Sequence, residues 1–126
     1  MKEFHTGQIA QITRTFTPED ISEYVSITGD TRPLSETAAG TVPGPLLGGL
    51  FSYLLGTTLP GRGTNYLKQE LEFLAPAPVG EEITALVEVV RVRPEKHLVN
   101  LQALCTNASG VVVCRGEALV LVKDVE

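Results

Sequence analysis

Hydrophobic and polar positions change period several times along this chain, and each change marks the edge of an element. From 7 to 16, apolar and polar residues alternate loosely among β-branched side chains, which predicts a strand. The period then lengthens. Thr17 can cap a helix, Pro18 suits its first position, and Asp20 can reach back as a capping-box acid. Ile21, Tyr24, Val25 and Thr28 share one helical face, and Gly29 stops the run. Residues 31–44 have no period and are punctuated by Pro33, Gly40, Pro43 and Gly44, so they read as a loop. Pro45 opens a second helix. Leu46, Leu47, Leu50, Phe51, Leu54 and Leu55 cover most of its circumference, the mark of a core helix that other structure must wrap. Gly48 and Gly49 interrupt it. A glycine costs about 1 kcal/mol against alanine in a helix interior, so the pair predicts a close approach by a strand, a ligand or a partner subunit.

After a turn at 57–63 the period is two throughout. Residues 64–74 put Leu67, Leu71 and Phe73 on one face and Lys68, Glu70 and Glu72 on the other. A Pro-rich break at 75–80 precedes 82–93, with Ile83, Ala85, Val87 and Val89 on one side. A turn at 93–96 leads to 97–107, where Val99, Leu101, Ala103 and Cys105 oppose Asn100 and Gln102. The hairpin turn 107–110 leads to 111–123, with Val112, Cys114, Ala118, Val120 and Val122 aligned. Alternating strands bury one face, and the apolar helix is the only layer available to cover it. The expected architecture is α+β: an antiparallel sheet curved around one central helix, in a single domain spanning 1–126.

Charge and composition narrow the partners. The net charge is −5, which disfavours nucleic acid, whose phosphates call for a basic patch. The apolar run 42–55 is too short and too Gly-rich to span a bilayer, and the first residues lack a secretory pattern, so a soluble cytoplasmic protein is expected. Two dispersed cysteines and two histidines form no recognisable zinc pattern, so no metal is expected. Cys105 and Cys114 read as reduced thiols in the core.

The candidate chemistry lies between the helices. Asp30 follows a helix end in a Gly-Asp turn, where an acid either bonds to backbone amides or, beside an apolar helix, faces a dry site. Gly44 before Pro45 is either a plain helix start or a backbone donor aimed at an oxyanion. Arg32 is either a solvated charge or an ion-pair partner that would lower the basicity of Asp30. Ser52 either bonds one turn back or faces a ligand.

Four stretches taken together resemble the MaoC-like branch of the hotdog fold, the (R)-specific enoyl-CoA hydratases and related acyl-thioester dehydratases. They are Thr17 to Ile21, Gly29 to Leu34, Val42 to Gly56, and Leu59 to Leu67 continued by Gln69, Phe73, Pro76 and Val79 to Glu81. The resemblance implies an α+β hotdog protein acting on acyl-CoA or acyl-carrier-protein thioesters without a cofactor, as a homodimer or higher homo-oligomer. It assigns Asp30 to the general base and the Gly44 amide to the thioester carbonyl. Ser52, Leu55, Arg32 and Arg62 are assigned to substrate binding. Arg62, Lys68, Arg91, Arg93 and Lys96 are candidates for coenzyme A phosphates, with surface solvation as the alternative. The family's dyad histidine falls on Ser35, Arg32 replaces an asparagine, Pro43 and Pro45 flank Gly44 in place of histidine and methionine, and the 35–42 segment is shorter. Two functions therefore stand side by side. One is an enoyl-thioester hydratase or dehydratase with Ser35 in the dyad. The other is an impaired binding module, an accessory hydratase subunit, or an Asp-dependent thioesterase.

Overall fold

The computed structural model describes residues 3–28 and 41–125, with backbone alone at 25–28. Strand β1 runs Ile9–Thr15 and helix α1 Pro18–Thr28. The capping box forms as its residues demand. Thr17 N–H donates to Asp20 Oδ2 at 2.8 Å, and Asp20 N–H donates to Thr17 Oγ1 at 3.1 Å. The Thr17 amide holds the Asp20 carboxyl below its ordinary value. Helix α2 runs Gly44–Thr57, followed by β2 (Asn65–Phe73), β3 (Glu82–Arg93), β4 (Leu98–Thr106) and β5 (Val112–Leu121). A 3-10 turn, Pro94–Lys96, joins β3 to β4.

The five strands form one antiparallel sheet in the order β1-β3-β4-β5-β2. Strand β2 thus crosses to the far edge, beside β5. Helix α2 packs against β3 and β1. Leu47, Leu50, Phe51, Leu54 and Leu55 enter a core shared with Ile83, Ala85, Val87, Val99, Leu101 and Val120. Burying that apolar set is the dominant stabilising term.

Three bulges shift the alternation that the sequence suggests. In β2 the register slips between Tyr66 and Lys68, so Leu67 leaves the ladder and is 55% exposed. Tyr66, opposite buried Val120, takes the inward row that Leu67 was expected to share with Leu71 and Phe73. Between β4 and β5 the slip leaves Val113 unpaired, and Val113 is buried in the core while Val112 is only half-buried. In β3, Val90 is the extra residue and is exposed.

Helix α2 is the expected core helix on the face that carries Leu47, Leu50, Phe51, Leu54 and Leu55, all buried. Its Pro45, Gly49 and Tyr53 face outward, Tyr53 at 55% exposure. At Gly48–Gly49 no strand of the chain itself comes especially close, among the described residues. A Cβ on Gly48 would make ordinary contact with Leu71 Cδ1 at 3.6 Å, and one on Gly49 would meet nothing within 4 Å.

Cys105 and Cys114 face each other across β4 and β5 as free, buried thiols. Burial pushes the Cys105 thiol up to about 12, with Cys114 adding to it, and raises Cys114 as well.

Candidate active site at the start of the central helix

Helix α2 begins between two prolines. An α-helix leaves its first amides without intrahelical acceptors. Here Pro43, at the cap, and Pro45 have no N–H to offer, and Leu46 N–H turns back to Pro43 O at 3.0 Å. Among the described residues none accepts from Gly44 N–H, so one donor is left at the tip. No acid lies in the first turn of α2 to neutralise the positive end of its dipole. An oxyanion placed there would meet one aligned donor and a favourable field.

The surroundings of that amide are apolar. A groove of about 430 Å³ opens beside it, lined by Thr41, Val42, Gly44, Leu47, Phe73 and Ala77 among others. Its walls are tied together by backbone bonds. Val42 N–H donates to Ala77 O at 2.7 Å, Thr41 bridges to Pro78, and Leu74 N–H donates to Val113 O at 2.9 Å. The ring of Phe73 stands over the helix tip. A Cβ on Gly44 would lie 2.9 Å from Phe73 Cζ, so this glycine is the point of close approach on α2.

Gly44, Gly48 and Ser52 follow at four-residue steps, one face of α2 that runs down β2. Opposite them stand the Phe73 ring, Leu71, and Tyr66, whose hydroxyl donates to Ser52 O at 2.8 Å. Ser52 is half-buried on this line. Leu55 is 1% exposed within the core, so in the single chain it offers a ligand no open surface. Arg62 is exposed in the turn after α2. Asp30, Arg32 and Ser35, with the Gly29 helix stop, lie outside the described residues. Of the cations considered for phosphates, Lys68 pairs with Glu70 at 3.1 Å, and Arg93 Nη2 donates to Asn100 Oδ1 at 3.0 Å. Phe73 is the wall residue that periodicity did not single out as part of a site, because the contact depends on β2 lying against α2. A second concavity of about 580 Å³ lies on the other side of α2, between Phe16, Tyr24, Leu50 and Tyr53.

The (R)-specific enoyl-CoA hydratase of Rhodospirillum rubrum is 38% identical over 130 residues, covering 96% of this chain and 90% of that protein. The enzyme of the same name from Aeromonas caviae is 35% identical over 128 residues, covering 94% and 96%. The chain belongs to the (R)-specific enoyl-CoA hydratase family. Among solved structures, the (R)-hydratase from A. caviae involved in PHA biosynthesis superposes with a TM-score of 0.87 at 34% identity, over 95% of this chain and 98% of that one. No family model matches the chain. The fold is the hotdog fold, and the function at family level is of the hydratase and dehydratase type. No helix among the described residues is long and apolar enough to cross a membrane.

Proposed function

We propose that this protein adds water to, or removes it from, acyl thioesters of coenzyme A or of an acyl carrier protein, with Ser35 where the family's dyad has histidine. The observation that carries this reading is the single donor of Gly44, isolated between two prolines at the mouth of an apolar groove. That amide polarises the thioester carbonyl and steadies the enolate oxygen as charge develops on it. Asp30 takes a proton from water as the water oxygen bonds to C3, and the Asp30 carboxyl returns that proton to C2 as the enolate collapses to the thioester. Ser52 borders the acyl chain with buried Leu55 in the core behind it, and Arg32 and Arg62 meet the charged end of the substrate. Without an imidazole to share the proton transfers, the rate falls by about 10²–10⁴. The work needs no metal or cofactor, since both transfers run through side chains and water. It takes place in the cytoplasm, in a single domain spanning 1–126.

A second reading rests on Ser35 itself: the chain holds thioesters, or serves as the accessory subunit of a hydratase that supplies the histidine. Assembly as a homodimer is supported by the β2 edge, where Leu67, Phe73 and Leu74 are exposed.

Hydration of crotonyl-CoA separates the readings. Weak activity that Asp30→Asn abolishes and Ser35→His raises is the expected result. An inactive native chain that gains activity only in Ser35→His sinks the hydratase reading and leaves the accessory one. Release of free coenzyme A without hydration points to Asp-dependent hydrolysis.

A further inference from the structure

One leucine of β2 is set apart from the rest of its strand. Every other residue of β2 is exposed, whereas Leu71 is half-buried and packs against the core. Its side chain sits between two glycines. A Cβ placed on Gly48 of α2 would lie 3.6 Å from Leu71 Cδ1, and one placed on Gly116 of β5 would lie 2.9 Å from Leu71 Cδ2. Gly116 is also the residue that pairs with Leu71 across the β2–β5 ladder. An alanine at 48 would therefore just touch the leucine, and one at 116 would overlap it. The isobutyl group fills the slot that the two glycines leave. A methylene chain needs about 4 Å to each neighbour, so none passes between Leu71 and α2, where a single methyl group already reaches contact.

This slot adjoins the groove of the Gly44 amide. Leu71 is two residues from Phe73 on the same face of β2, and Phe73 walls the groove. Gly48 is one turn beyond Gly44, about 6 Å down the axis at the helical rise. The carbon chain of a butyryl group, three bonds of about 1.5 Å, spans most of that distance. A chain that starts at the Gly44 donor and runs inward behind the Phe73 ring thus meets Leu71 at its end. Helical side chains lean toward the N-terminus, so Ser52 flanks the same point from one turn further on.

We propose that Leu71 sets the length of acyl chain that this protein accepts, a four-carbon thioester ending against its methyl groups. The inference rests on the thioester reading of the Gly44 site. Held between α2 and β5, Leu71 stops longer chains by filling the slot. Cut back to alanine, it leaves an apolar hole beside the groove, and apolar holes of this kind take up hydrocarbon.

Calorimetry with butyryl-CoA and hexanoyl-CoA, neither of which can be hydrated, tests it on the full chain. The native protein is expected to bind butyryl-CoA and to gain nothing from the two further methylenes. In Leu71→Ala the hexanoyl-to-butyryl affinity ratio is expected to rise at least about tenfold, as apolar pockets reward added methylenes. Gly48→Ala placed in the Leu71→Ala chain puts a methyl group back into the slot and is expected to lower the ratio severalfold. Where Leu71→Ala does not fold, Leu71→Val is expected to raise the ratio severalfold. A native chain that already favours hexanoyl-CoA tenfold overturns the role of Leu71 and leaves the thioester reading standing. An unchanged ratio in folded Leu71→Ala or Leu71→Val does the same. A folded native chain that binds neither thioester refutes that reading, and the length stop with it.

Discussion

Replacing Gly44 by alanine adds one methyl group at the tightest glycine of α2. The new Cβ would lie 2.9 Å from Phe73 Cζ, 3.1 Å from Cε1 and 3.3 Å from Cε2, all inside carbon contact distance. The obstacle is the far edge of a ring that is 54% exposed, and not backbone. The ring can swing outward for about 1 kcal/mol of rotamer strain. Alanine returns up to about 1 kcal/mol of helix propensity. These offset, so stability should change by less than about 1 kcal/mol, and the melting temperature by no more than about 5 °C. The groove changes much more, because the methyl and the displaced ring both crowd the Gly44 donor. Crotonyl-CoA affinity measured by calorimetry should fall about tenfold, which is about 1.4 kcal/mol. Phe73→Ala in the same chain should restore most of that loss, a coupling between two residues in contact. Gly49→Ala is the control. Among the described residues nothing lies within 4 Å of its added Cβ, so it should bind as the native chain does. Native affinity in Gly44→Ala would refute the role given to this amide. A fall in melting temperature well beyond 10 °C would show that the glycine serves packing instead.

Other consequences are more local. A Cβ on Gly116 would run into the Glu70 carbonyl oxygen on β2, so Gly116→Ala must force β2 and β5 away from each other and should cost about 3 kcal/mol in urea unfolding. The Asp20 carboxyl titrates below its unfolded value of 3.8, so its contribution is complete above that value and is lost as pH falls through the lower folded one. The deficit of Asp20→Asn against the native chain should therefore be constant near neutrality and vanish in strong acid, followed by denaturation at several pH values. The Cys105 thiol, raised to about 12, keeps its proton in the fold while an unfolded thiol loses it near 9. Stability should accordingly decline as pH rises above 9, and iodoacetamide at pH 8 should label both cysteines only at the rate of unfolding.

Much of the fold was legible because local chemistry and tertiary packing agree. The Thr17–Asp20 box forms as written, and the inward faces of β3 and β4 are those that alternation names: Ile83, Ala85, Val87 and Val89, then Val99, Leu101, Ala103 and Cys105. Alternation fails at Leu67, Val90 and Val113, and each failure has the same physical cause. A bulge inserts one residue, and a period-two pattern has no means of showing where the count slips. Sheet order was not legible either. Strands β2 and β3 are consecutive, yet β2 pairs with β5, and only the 75–80 break hints that the chain leaves one edge for another.

The same crossing explains how much of the candidate site could be read. Gly44 could be singled out because it stands just before Pro45 at the start of an apolar helix, where the family resemblance places the donor to the thioester carbonyl. Phe73 could not, since its place over Gly44 exists only once β2 has crossed to the far edge and lies down the face of α2. That face carries Gly44, Gly48 and Ser52 at four-residue steps, and β2 answers with Phe73, Leu71 and Tyr66 in reverse order. The missing side chain at Gly44 thus lets the Phe73 ring of the edge strand wall the amide. The glycine at 44 is required by Phe73, and Phe73 is in reach because β2 is the edge. The donor, its wall and the exposed apolar edge are consequences of one topological step.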